Sequence, residues 1–126
     1  MKALVVDDSR AMRMVLRRIV SDIGFEVVEA ADGQQALDAL DNEVPDVALV
    51  DWNMPVMNGL EFVVSARKRS DARKMTIMMV TTESEMEQVE VALNAGASEY
   101  LMKPFDRQAL LEKLLLLGFD PESRAA

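Results

Sequence analysis

The sequence predicts an α/β fold, a three-layer sandwich in which a five-stranded parallel sheet carries helices on both faces. Three observations predict it. Short apolar runs recur at roughly residues 3–6, 25–30, 47–50, 75–80 and 100–102, each rich in Val, Ile, Leu or Met. Uninterrupted runs of this length suit strands buried on both faces of a parallel sheet. Between them lie longer segments whose apolar residues return at steps of three and four, the spacing of one helix face. Glycines and prolines stand at the boundaries of these segments and not inside them. Strand and helix alternating five times implies right-handed crossovers, which wrap helices around the sheet.

Each element has its own signals. Strand one ends in Asp7-Asp8. Helix one spaces Met12, Val15, Leu16, Ile19 and Val20 along one stripe. Asp8 or Ser9 can cap its start, and Gly24 suits a left-handed cap at its end. Strand two follows at once, and Asp32-Gly33 introduces helix two, marked by Ala36, Leu37 and Leu40. Pro45 precedes strand three, which ends in Asp51. Asn58-Gly59 opens helix three, with Leu60, Val63, Val64 and Arg67 at helical spacing. Arg67-Lys68-Arg69 reads as a solvated helix end whose cations complement the helix dipole. Strand four ends in Thr81-Thr82, and Thr82 or Ser84 can cap helix four, where Met86, Val89 and Leu93 recur before Gly96. Glu83, Glu85, Glu87 and Glu90 make that helix acidic. Strand five ends in Lys103-Pro104, and helix five carries Leu110, Leu111, Leu114 and Leu115. Four consecutive leucines, Leu114 to Leu117, cannot all face one core stripe, so one or two are expected at the surface, for self-association or under Phe119. Met78 and Met79 are expected in a buried strand, and Met86 and Met102 as core filling. Trp52 is expected to pack partly over the active edge.

The 126 residues, 50% hydrophobic and 29% charged, suffice for one domain with a single core. No repeat or linker divides the chain, and residues 120–126 read as a short frayed tail. The absence of Cys excludes disulfides and thiolate chemistry, and the absence of His excludes imidazole ligands and His-dependent triads. A net charge of −8 argues against binding nucleic acid. No apolar stretch is long enough for a signal peptide or membrane span, so a cytoplasmic protein is expected.

The polar residues that matter follow the apolar runs. All carboxyl ends of a parallel sheet lie on one edge, where ligands bind. Asp7, Asp8, Asp51, Thr81 and Lys103 should therefore converge. Three ionised carboxylates in one pocket repel and raise one another's pKa unless a cation relieves them. Mg²⁺ suits one or two carboxylates plus waters and phosphate oxygens. A carboxylate nucleophile, a hydroxyl, a lysine and a metal are the parts for transferring a phosphoryl group onto Asp.

Four stretches together, Val5-Val6-Asp7-Asp8-Ser9, Asp51-Trp52-Asn53-Met54-Pro55, Val80-Thr81-Thr82-Glu83 and Tyr100-Leu101-Met102-Lys103-Pro104-Phe105, resemble a response-regulator receiver domain over the whole chain. The second, with Gly59-Leu60-Glu61, is most similar to the chemotaxis regulators of that family. The resemblance implies a doubly wound, flavodoxin-like sheet in the order 2-1-3-4-5, with residues 1–119 as the receiver domain. It implies Asp51 as phosphoacceptor, Asp8 as a direct Mg²⁺ ligand, Asp7 as one acting largely through water, and the Asn53 carbonyl as a further ligand. Lys103 would contact the phosphate. Thr81 would be the switch hydroxyl and Tyr100 the aromatic that turns inward when Thr81 moves, altering the face of helix four, strand five and helix five. Asn53 and Glu83, two positions beyond Asp51 and Thr81, would tune dephosphorylation.

The function implied is a stand-alone response regulator of a two-component system. It takes a phosphoryl group from a histidine kinase, assists its own phosphorylation and hydrolysis without being an enzyme in the ordinary sense, and controls a partner protein in chemotaxis or motility. A phosphorelay intermediate is the alternative, and a monomer or weak homodimer is expected. The acidic helix four departs from the lysines that begin this helix in the chemotaxis regulator, which argues against motor docking. Haloacid-dehalogenase-like phosphatases use similar parts, but strand one lacks their Asp-x-Asp pattern. A flavin-binding module would need a glycine- and hydroxyl-rich loop where Ser9-Arg10-Ala11-Met12 stands.

Overall fold

In the computed structural model, which describes residues 1–119, the apolar runs become strands β1 (Lys2–Val6), β2 (Glu26–Ala30), β3 (Val47–Asp51), β4 (Thr76–Thr81) and β5 (Glu99–Met102). They alternate with helices α1 (Arg10–Ile23), α2 (Gly33–Leu40), α3 (Gly59–Arg67), α4 (Met86–Ala95) and α5 (Arg107–Leu116). All pairings are parallel, in the order β2-β1-β3-β4-β5. The tail at 120–126 and the side chain of Glu83 lie outside the described residues.

Side chains alternate across a strand, so the sheet splits the core in two. Leu4, Val6, Ala48, Val50, Ile77 and Met79 point to one face, where Ala36, Leu40, Phe62, Val63, Ala66 and Ala92 of α2, α3 and α4 cover them. Ala3, Val5, Val47, Leu49, Met78 and Val80 point to the other, under Leu16, Val20, Leu110 and Leu114 of α1 and α5. β3 is buried throughout. The edge strands differ from the expectation of burial on both faces: β2 alternates between exposed and partly buried until the buried Ala30, and β5 exposes Met102. Each has a neighbour on one side only, so less of it is covered.

Ser9, Asp32, Asn58 and Asp106 cap α1, α2, α3 and α5 through their side chains, and Asn58 and Glu61 close a reciprocal capping box. Gly24 ends α1 at φ 119°. Gly59 serves another need: a Cβ there would lie 2.5 Å from the Asp51 carbonyl oxygen. Its missing side chain lets α3 start directly against the end of β3.

Some helix faces depart from the sequence pattern. Val15 and Val64 turn outward, while Phe62 is fully buried. Arg67 is no solvated helix end. Its guanidinium donates to the carbonyls of Gly96, at 2.9 Å, and Ala72, at 2.8 Å, tying α3 to the end of α4. Arg69 pairs with Asp41 and Asp71. Leu115 and Leu116 are exposed, as the leucine run requires, and Phe119 packs edge-on against Phe25. Trp52 is buried in the α2/α3 core and not merely laid over the edge, and Met102 sits at the surface and not in the core.

Candidate functional site

Because the strands are parallel, the residues that follow them collect on one edge. Asp7 continues β1, its backbone N–H donating to the Ala30 carbonyl at 3.1 Å. Asp51 closes β3 in register with Val80, one residue before Thr81. The Lys103 N–H donates to the Thr81 carbonyl, extending the β4–β5 ladder and bringing the lysine alongside. Asp7, Asp8 and Asp51 each offer a carboxylate oxygen within 4.8 Å of the others.

The three acids occupy different environments. Asp8 is exposed, whereas Asp7 is 1% and Asp51 8% accessible. Asp7 Oδ1 accepts from the Ser9 N–H at 2.8 Å, and Arg13 holds the Asp7 carbonyl at 2.7 Å. Asp7 Oδ2 is buried without a hydrogen bond, with Lys103 Nζ 3.5 Å away. Asp51 Oδ1 accepts from the Trp52 N–H at 2.9 Å and from Lys103 Nζ at 3.2 Å. Burial, and then the charge of Asp7, push the Asp51 carboxyl up to about 6, with Lys103 holding it back. Burial disfavours the Lys103 cation, but the charges of Asp51 and Asp7 outweigh it and raise its pKa above the usual lysine value.

This donor set fits a hard divalent cation. Three carboxylates share one small volume, one of them with an orphaned buried oxygen, and no imidazole or thiolate competes.

The hydroxyl side of the pocket is built by β4 and a 3₁₀ turn at Glu83–Glu85. Thr81 is fully buried. Its hydroxyl faces Glu85 Oε1 at 3.2 Å and the Thr82 carbonyl at 3.3 Å. Glu85 also accepts from the Thr82 N–H at 2.9 Å, the Thr82 hydroxyl at 3.0 Å and the Asn53 side-chain amide. So Glu83 and Glu85 precede α4 and do not belong to it, and Glu85 turns into the site instead of outward. Nothing in the sequence distinguishes Glu85 from its acidic neighbours except its position four residues beyond Thr81. Tyr100 is half-buried against the core, with Lys113 Nζ 4.4 Å from its ring centroid.

A buried carboxylate at a strand end, flanked by two more acids, a lysine and a hydroxyl, lies on the ligand-binding edge of a flavodoxin-like parallel sheet. The chain belongs to the response regulator receiver domain family, whose family model matches residues 3–115. It is 46% identical to the chemotaxis protein CheY1 of Helicobacter pylori over 94% of this chain and 98% of that one. It is 47% identical to the CheY homolog of Campylobacter jejuni over 90% and 89%. Among solved structures, CheY4 of Vibrio cholerae superposes with a TM-score of 0.86 at 40% identity, covering 92% and 97%. The receiver domain of a Pseudomonas aeruginosa sensor histidine kinase, solved with magnesium in its active-site cleft, superposes with a TM-score of 0.83 at 29% identity, covering 91% and 94%. The protein is thus a two-component receiver domain homologous to the CheY chemotaxis regulators, and the phosphorelay alternative is not favoured.

Proposed function

We propose that residues 1–119 act as a phosphorylation-dependent switch in chemotactic signalling, with Asp51 as the phosphoacceptor. The observation that carries this reading is the meeting of Lys103 with Asp51 and Asp7 at the edge where three carboxylates converge. A carboxylate oxygen of Asp51 attacks the phosphorus of a phosphohistidine on the donor kinase. The new O–P bond forms as the P–N bond breaks, and the departing imidazole nitrogen takes a proton from solvent. Hydrolysis clears the group: water attacks phosphorus, the Asp51 O–P bond breaks to restore the carboxylate, and inorganic phosphate leaves carrying the water's oxygen and protons. The protein thereby assists both its loading and its clearing without turning over a separate substrate.

Each neighbour has a role in this reading. Asp7, Asp8, Asp51 and the Asn53 carbonyl would hold Mg²⁺, which when bound neutralises charge on the phosphoryl oxygens. Lys103 supplies a fixed cation to the same oxygens. Thr81 donates its hydroxyl to one of them, and Tyr100 fills the space Thr81 leaves. Asn53 flanks the path of the attacking water, as would Glu83, whose side chain lies outside the described residues.

Output passes through α4, β5 and α5. Their surface carries the exposed acids Glu87 and Glu90 and the exposed apolar residues Val91, Met102 and Leu116, a composition suited to a basic, partly apolar partner protein. We place this exchange in the cytoplasm; among the described residues no helix is long and apolar enough to cross a membrane. Mg²⁺ followed by acetyl phosphate should change the fluorescence of Trp52, the only tryptophan, next to Asp51. Normal phosphate incorporation by Asp51→Asn would refute the assignment.

A further inference from the structure

We propose that Glu85 is a positioning residue of the switch, one that holds the Thr81 hydroxyl and the Asn53 amide in the resting arrangement until phosphorylation draws them away. The inference rests on the reading of Asp51 as phosphoacceptor and extends it to a residue that reading does not use.

Three observations carry it. The Glu85 carboxylate gathers donors from both sides of the pocket: the hydroxyls of Thr81 and Thr82 and the Thr82 N–H on the β4 side, and the Asn53 amide beyond β3. Thr81 is fully buried and its hydroxyl has one proton, whose acceptors are Glu85 and the Thr82 carbonyl. To donate to an oxygen on Asp51, that proton must leave both. Finally, Glu85 occupies the residue position before α4 yet caps no N–H of the helix. Its carboxylate is committed to the strand ends, so this side chain ties the residue before α4 to the phosphorylation pocket.

The consequence is a competition. A phosphoryl group on Asp51 brings roughly two negative charges and three strong acceptor oxygens. It offers Thr81 a better acceptor than a carboxylate already shared among four donors, and its charge opposes that of Glu85. Release of Thr81 and Asn53 would loosen the Glu83–Glu85 turn from β3 and β4 together, so the same event that engages the hydroxyl frees the start of the output helix. Loading works against whatever free energy these contacts supply, because only a difference between the two states shifts the equilibrium. Removing Glu85 should favour the active state, and restoring its acceptor without its charge should do so partially.

Beryllofluoride titration at saturating Mg²⁺, read by Trp52 fluorescence, tests this. Glu85→Ala should bind about tenfold tighter than the wild type, the scale of one released charged hydrogen bond. Glu85→Gln should fall between them, and Glu26→Ala, an exposed acid on the edge strand β2, should match the wild type. Adding Glu85→Ala to Thr81→Ala should produce less tightening than adding it to the wild type. Without Mg²⁺ or beryllofluoride, the Asn53 side-chain amide and the first α4 amides should shift in both Glu85 variants, toward their beryllofluoride-loaded positions. Unchanged or weaker binding by Glu85→Gln, in protein with a cooperative melt, would overturn the proposal. So would Asn53 and α4 resonances that do not move in the unloaded variants. A wild type that never responds to beryllofluoride would instead count against Asp51 as the phosphoacceptor, while the unloaded spectra would still decide the role of Glu85.

Discussion

Lys103 Nζ lies 3.2 Å from Asp51 Oδ1, across 52 residues of sequence and from the far edge strand of the sheet to its centre. The same ammonium is 3.5 Å from Asp7 Oδ2. One cation therefore serves two carboxylates from different strands. The balance at this point governs how the pocket responds to substitution and to pH.

Lys103→Met keeps the length of the stem and removes the charge. Asp51 then loses the influence that lowers its pKa, and its titration midpoint should climb above about 6, as read by carboxyl ¹³C shifts. Loading by acetyl phosphate should slow by about a hundredfold, the usual loss when one positioned donor to a reacting oxyanion is removed. A Lys103→Met variant that loads at the normal rate would mean the lysine is a structural counter-ion only.

The raised pKa of Asp51 makes a signed statement about stability. The folded state holds the proton to about pH 6, whereas the unfolded chain releases it near 3.8. Folding therefore takes up a proton between these values, and stability from this group falls as pH rises through the window. Asp51→Asn should be more stable than the wild type at pH 7, by roughly 1–2 kcal/mol after allowing for solvent screening at the open mouth. The difference should shrink below pH 4. Urea denaturation of the metal-free proteins at both pH values measures it, and an equal difference at the two would show that ionisation is not the cause.

Gly59 separates steric from conformational demand. A Cβ at this position meets backbone at the Asp51 carbonyl, so Gly59→Ala must push α3 from β3 and should cost about 1–3 kcal/mol. At Gly24 a Cβ meets nothing within 4 Å, but φ is +119°, so Gly24→Ala should cost about 1 kcal/mol of backbone strain. Only Gly59→Ala should also disturb Mg²⁺ binding, because only it displaces the end of β3.

Val56, in the loop between Asp51 and α3, has φ 67° and is 81% exposed. A β-branched residue in the left-handed region is strained, and its exposure returns little packing. Val56→Asn should raise the urea midpoint by the equivalent of roughly 1 kcal/mol. No gain would show that the loop relaxes around Val56 at no cost.

Much of the site was legible in the sequence because its residues follow apolar runs. Strand runs and helical spacing are local patterns, and a parallel sheet brings every strand end to one edge whatever the strand order. Asp7, Asp8, Asp51, Thr81 and Lys103 could thus be grouped before any contact was known. Glu85 could not. It sits in an acidic stretch that reads as a solvated helix face, and only the 3₁₀ turn before α4 directs it to Thr81 and Asn53. Arg67 escaped for a similar reason: a cation at a helix end satisfies the dipole rule, and nothing local reveals the carbonyls of Gly96 and Ala72 waiting for it.

The sequence by itself determined the alternation of strand and helix, the identity of the groups at the strand ends and, through the family motifs, the class of chemistry. These follow from interactions between near neighbours in the chain and from side-chain type. Tertiary structure alone decided which strands became edges, how deeply Asp7 and Asp51 were buried, and that one lysine stands between them. Those outcomes depend on residues brought together from distant parts of the chain, and on the removal of water that makes their charges felt.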